Sequence, residues 1–110
     1  MCPENLEGHS LLEAIQEITR RGGHGFTLHA TSRATSDGIS LSEVEMAICA
    51  PAAQVIENYP EDPRGPSCLI LAYSSTGDPL HVVCSYPPNV AIISVYRPDP
   101  ERWIEYRTRR

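Results

Sequence analysis

Ser67–Tyr96, SCLILAYSSTGDPLHVVCSYPPNVAIISVY, decides the fold. Cys68–Tyr73, Leu80–Tyr86 and Val90–Tyr96 are dense in Val, Ile, Leu and Tyr, which suit a pleated, half-buried surface. SSTGDP and PPN separate them, and both are turn chemistry. Gly77 takes a positive φ at no steric cost, and Pro87-Pro88 cannot donate ladder hydrogen bonds, so the chain reverses at each. The expectation is three consecutive antiparallel strands. A two-residue turn at Thr76-Gly77 would set Cys68 opposite Ser85 and send Cys84 to the other face, where the two cysteines could not bond.

Upstream, Gln54–Tyr59 reads as a fourth strand, joined to the block by the polar, proline-rich YPEDPRGP. Before it come three helices. Ser10–Arg21 carries an apolar stripe of Leu11, Leu12, Ile15 and Ile18 and ends at Gly22-Gly23. Thr27–Asp37 is capped by Thr27 and stopped by Gly38, with Leu28 its one large apolar residue. Ser40–Ala50 opens on a Ser40/Glu43 capping box with Ile39 stapled to Val44, and ends at Pro51. Gly22–Phe26 reads as a flexible joint. After Tyr96, two prolines break the sheet, Asp99 is a cap candidate, and Glu101–Tyr106 reads as a short helix carrying Trp103. Helices followed by strands predict an α+β fold, with N-terminal helices on one face of a four-stranded antiparallel sheet.

At 110 residues the chain is one domain with ordinary soluble composition. No apolar run approaches the roughly 20 residues that span a bilayer. The acidic start, MCPENLEGHS, lacks the apolar segment of a secretory signal, so a cytoplasmic protein without membrane contact is expected. Cys2, Cys49, Cys68 and Cys84 match no zinc spacing and read as small buried hydrophobes. Neither a metal nor a cofactor is expected. The net charge is −5, yet all nine basic residues are arginine and five lie in the last fourteen positions: Arg97, Arg102, Arg107, Arg109 and Arg110. A local basic patch on an acidic body follows, able to bind RNA or an acidic partner. Residues 104–110 read as a basic tail in which Arg107, Arg109 and Arg110 are exposed, and deleting Arg107–Arg110 would weaken binding while leaving the melting temperature nearly unchanged.

One ionisable group interrupts the apolar block: His81, in Leu80-His81-Val82-Val83. On this strand, Leu80, Val82, Cys84 and Tyr86 lie on one side, and His81, Val83 and Ser85 on the other. Either side is apolar enough to be the core. The neighbouring strand ends in Tyr96-Arg97, and His29 and Arg33 share a helical face. If these meet, His81, Tyr96, His29 and Arg33 form a metal-free phosphodiester site with Arg97 at its rim: His81 as acid or base, Arg33 holding phosphate. His81 and Tyr96 share a face only in a register such as 81 opposite 96. The bland alternative is a core-bonded His81 and a solvated His29/Arg33 pair.

Five segments occur in order: His29-Ala30-Thr31-Ser32-Arg33, Gly38-Ile39-Ser40, the link from Tyr59 to Cys68, Pro79–Val83, and Val95–Asp99, with Trp103 after them. Over about 26–103 they resemble the prokaryotic domain-of-unknown-function family numbered four-two-five-eight, with residues 1–25 an N-terminal addition. The resemblance implies a RelE/ParE-like toxin fold. It further implies a toxin-like domain of a toxin–antitoxin pair, a metal-independent ribonuclease with RNA as substrate and an antitoxin protein as partner. The alternative is a non-catalytic protein-interaction module with the same fold.

Overall fold

The computed structural model describes residues 9–110, so the reading of Cys2 and the first eight residues of the proposed N-terminal addition fall outside the described residues. Helix α1 spans His9–Arg20 and buries Leu11, Leu12, Ile15 and Ile18. It ends in a Schellman motif: Gly22, at φ 76°, donates to Thr19 and Gly23 donates to Ile18. Helix α2, Leu28–Ser36, starts on the Thr27 hydroxyl, which accepts from the Ala30 amide. It ends the same way as α1, with Gly38 at φ 70° and Ile39 N–H on the Ala34 carbonyl. Leu28 does not anchor this helix, being 90% exposed; Ala30 and Ala34 face inward and let the backbone pack closely on the sheet. Helix α3, Leu41–Cys49, is capped by Ser40, whose hydroxyl accepts from the Glu43 amide. The Glu43 carboxylate accepts from the Ser75 hydroxyl, tying the helix to a strand turn.

The strands are β1 (Gly25–Phe26), β2 (Gln54–Tyr59), β3 (Ser67–Tyr73), β4 (Pro79–Ser85) and β5 (Ala91–Tyr96), in sheet order β1-β5-β4-β3-β2. Neighbours from β2 to β5 are antiparallel, as the turn chemistry requires. The expected four-stranded antiparallel sheet is corrected to five strands, mixed, because part of the supposed joint is a strand. Gly25 and Phe26 pair in parallel with Ala91 and Ile92 of β5. The three helices cover one face, whose core includes Ile15, Val44, Ile48, Ile70, Val82 and Val95. Each fully buried aliphatic side chain there is worth about 1.5–3 kcal/mol.

The β3–β4 turn also differs from expectation. Ser74 and Asp78 close a three-residue loop in which Gly77, at φ 87°, is the last residue rather than the second of two. That moves the register by one. Cys68 therefore sits opposite Cys84 on the helix-covered face, the sulfurs 3.8 Å apart, both buried and free.

The last correction is the C-terminal segment. Asp99 caps a single turn, its carboxylate accepting from the Glu101 amide. The expected helix does not form: Trp103–Ile104 (β6) and Thr108–Arg109 (β7) make a hairpin. Its turn, closed by Arg107 N–H on the Ile104 carbonyl, holds Glu105 and Tyr106 at φ 53° and 63°, a left-handed pair no α-helix accommodates.

Candidate functional site

Pairing register sets one row of side chains on the sheet face away from the helices. Gln54 is opposite Leu71, Leu71 opposite His81, and His81 opposite Tyr96. Glu57 joins this face because of a bulge. Simple alternation from Val55 would send it to the core side, but the irregularity between Val55 and Glu57 sets it opposite Leu69. The β6–β7 hairpin lies over this row, with Arg107 bonded to the Gln54 side chain. Arg109 forks onto Glu57 at 2.8 and 3.2 Å.

His81 is fully buried beneath the hairpin. Its Nε2 lies 2.6 Å from the Tyr106 carbonyl and its Nδ1 3.2 Å from the Tyr96 hydroxyl. A carbonyl only accepts, so Nε2 carries the proton; Nδ1 then accepts from Tyr96. The Trp103 ring stands edge-on to the imidazole at 4.4 Å. Burial pushes the His81 pKa below its ordinary value, outweighing the Tyr106 carbonyl and Glu57, which favour the cation, while Arg109 works with burial. His81 is thus neutral at pH 7. Burial likewise raises the Tyr96 hydroxyl, so that group is protonated.

On the outer side of Tyr96 is a cavity of about 670 Å³. Arg33, Tyr96 and Arg97 line it from the body of the domain; Arg102, Trp103, Arg109 and Arg110 line it from the C-terminal segment, with Asp99 and Glu101 adding negative charge. Five arginines against two carboxylates leave the lining net positive, though Arg97, Arg102 and Arg109 are paired with Asp78, Asp99 and Glu57. The Arg33 guanidinium lies over the Tyr96 ring at 5.6 Å, and that of Arg109 over Trp103 at 4.7 Å. Arg97 reaches the Asp37 carbonyl at 3.3 Å and Asp78 at 3.9 Å; Arg110 bonds the Pro100 carbonyl at 3.0 Å.

Tyr96, Arg33 and Arg97 therefore meet, and His81 stands directly behind Tyr96 without reaching the cavity. His29 does not join them: it is exposed on α2 and is no part of the lining. Arg107, Arg109 and Arg110 are exposed, as expected of the tail, but Arg109 and Arg110 are docked at the cavity and Arg107 is spent on Gln54. Sequence reasoning missed Glu57 and the Tyr106 carbonyl. A bulge and a left-handed turn place them, and neither leaves a compositional trace. Trp103 was visible, though as part of a helix.

Chemically the cavity suits an anion with several oxygens, because planar guanidinium forks match phosphate. Among the described residues, no group of three or more His, Cys, Asp or Glu could hold a metal ion, and no helix is long and apolar enough to cross a membrane.

The features together define an α+β domain whose arginine-lined cavity is roofed by a C-terminal hairpin and backed by buried His81, bonded to the cavity-lining Tyr96. The chain belongs to the family described as Domain of unknown function (DUF4258), whose model matches residues 26–97. Helix α1 and the hairpin flank the matched stretch. No curated protein and no solved structure matches the chain.

Proposed function

We propose that the chain is the toxin-like member of a prokaryotic toxin–antitoxin pair, related to the RelE/ParE-like toxins, and that it binds RNA and cleaves it without a metal. One observation carries this reading: Arg33, Tyr96 and Arg97 line one cavity in which arginines outnumber carboxylates. In the reaction, the 2′-oxygen attacks phosphorus and the bond to the 5′-oxygen breaks. Arg33 holds the non-bridging oxygens, and Tyr96, kept protonated by burial, turns its O–H from His81 Nδ1 to the leaving 5′-oxygen, gives up the proton and regains one from water. The 2′-proton leaves to water. His81, sealed from the cavity, acts only through Tyr96.

A second reading, a non-catalytic interaction module with the same fold, is favoured by that same seal. Its binding partner would be a protein engaging the cavity through carboxylates. Induced expression with and without the neighbouring open reading frame, combined with mapping of RNA ends, separates the two. The first reading expects growth arrest and new RNA ends from the parent and neither from Tyr96→Phe. A parent that leaves both growth and RNA intact refutes it.

A further inference from the structure

We propose that the C-terminal hairpin is the movable wall of the anion cavity and that His81, by holding the Tyr106 carbonyl, is the positioning residue that couples phosphate binding to hairpin docking. This rests on the reading that the cavity takes phosphate. The cavity is composite. Arg33, Tyr96 and Arg97 belong to the body, while Arg102, Arg109 and Arg110 arrive with the hairpin segment. An oxyanion bridging the two sets binds only the docked state and must therefore stabilise it.

The hairpin has little stability of its own. Its two strands hold two residues each, well short of what an isolated hairpin needs. Its turn keeps two non-glycine residues left-handed. Besides the buried Trp103 ring, docking rests on few polar contacts. Arg107 with Gln54 lies at the surface, and in the Arg109–Glu57 pair the guanidinium is exposed, so water competes at both. The contact made away from solvent is His81: Nε2–H to the Tyr106 carbonyl at 2.6 Å, and the imidazole against the edge of Trp103 at 4.4 Å. Trp103 in turn supports Arg109 by stacking. A chain of contacts thus runs from His81 to the cavity's arginines, although His81 touches no ligand.

The test uses the full chain, with tripolyphosphate and a labelled single-stranded RNA oligonucleotide as probes. Docking is read without ligand, from Trp103 fluorescence and amide exchange across Trp103–Arg109. Affinity is read separately by titration. His81→Gln keeps an N–H donor near the Nε2 position, so docking and affinity should match the parent. His81→Leu should deprotect the hairpin amides and weaken binding of both probes by about ten-fold, within the usual range for coupled sites. Glu105→Gly relieves one left-handed residue and should raise both protection and affinity. It carries the test if His81→Leu does not fold. The proposal is overturned if His81→Leu undocks the hairpin with affinity unchanged, if His81→Gln behaves like His81→Leu, if Glu105→Gly gains protection without affinity, or if the parent binds neither probe. Tripolyphosphate binding without RNA binding keeps the coupling and refutes the RNA reading instead.

Discussion

Arg109→Ala asks whether the hairpin belongs to the folded structure or is a solvated tail. Arg109 makes a fork onto Glu57, with Nε at 2.8 Å and Nη2 at 3.2 Å, and stacks on Trp103 at 4.7 Å. The arginine side chain is 64% exposed but that of Glu57 only 18%. Exposed ion pairs contribute about 0.2–1 kcal/mol, and two-point geometry with a covered carboxylate puts this one near the upper end. The stack adds about 0.5–1 kcal/mol. The variant should lose about 1–2 kcal/mol, and for a chain of this size melt roughly 4–10 °C lower. Thermal unfolding followed by circular dichroism and by the fluorescence of Trp103, the chain's one tryptophan, measures this. Glu57→Gln and the double variant complete a cycle whose coupling should be about 1 kcal/mol at low salt. At about 1 M salt, where the Debye length is roughly 3 Å, the ion-pair part should shrink and the stacking part persist. Arg109→Lys restores charge without fork or plane and should recover only part of the loss. An unchanged melting temperature in Arg109→Ala would refute the docked hairpin and restore the expectation of a free tail.

Stability should also depend on pH through His81. Its folded pKa is lowered chiefly by burial, so its contribution is complete above the unfolded value of about 6.5 and is lost as pH falls from there toward the folded pKa. Of the groups facing it, Glu57 and Arg109 keep their charge in that window, the Tyr96 hydroxyl stays neutral and the Tyr106 carbonyl does not titrate. Glu57, raised by burial but lowered further by Arg109 and Tyr59, titrates only below it. Denaturant unfolding between pH 7 and 5 should show the slope, and His81→Gln should remove it; a slope that survives assigns it elsewhere. Gly77→Ala, at φ 87°, should cost roughly 1–2 kcal/mol in the same assay, and a neutral result would mean the three-residue loop is wrong. A thiol reagent should label half-buried Cys49 before Cys68 and Cys84, which are buried against each other, with Cys84 raised by its contact with Cys68 and by burial. Equal labelling rates on the folded chain would contradict that packing.

What was legible in the sequence was local. Thr27, Ser40, Gly38 and Pro51 mark helix ends because each has one strong backbone preference, and the structure uses all four. Gln54–Tyr59 and the three strands after it follow from composition and turns, and 81 opposite 96 was among the registers those turns allow. Three features were illegible for separate reasons. Strand β1 has only two residues, too short for any periodicity, and exists because Val90 and Ile92 of the β5 segment offer carbonyls to Gly25 and Thr27. The Cys68–Cys84 pairing depends on whether Gly77 ends a loop of three or sits in one of two, and SSTGDP suits either. The hairpin at Glu105-Tyr106 has none of the Gly or Asn that usually marks a left-handed turn, so tertiary contacts to His81 and Glu57 must hold it.

The charge arrangement connects that local strain to the site. The chain carries a net charge of −5, and a fold needing only surface balance could spread its nine arginines among fourteen carboxylates. Instead five arginines gather around one cavity, three of them paired with Asp78, Asp99 and Glu57. Bringing like charges together costs free energy, and bringing three of them there on a segment with a left-handed turn costs more. Neither cost is needed to cover His81, which an apolar segment could seal equally well. The two costs offset together when an oxyanion occupies the cavity, because it neutralises the arginines and stabilises the docked hairpin at once. On the proposed reading, the acidic remainder of the chain would repel bulk polyanion while the arginine cavity takes one phosphate, so binding should be to a defined position rather than an indiscriminate coating of nucleic acid.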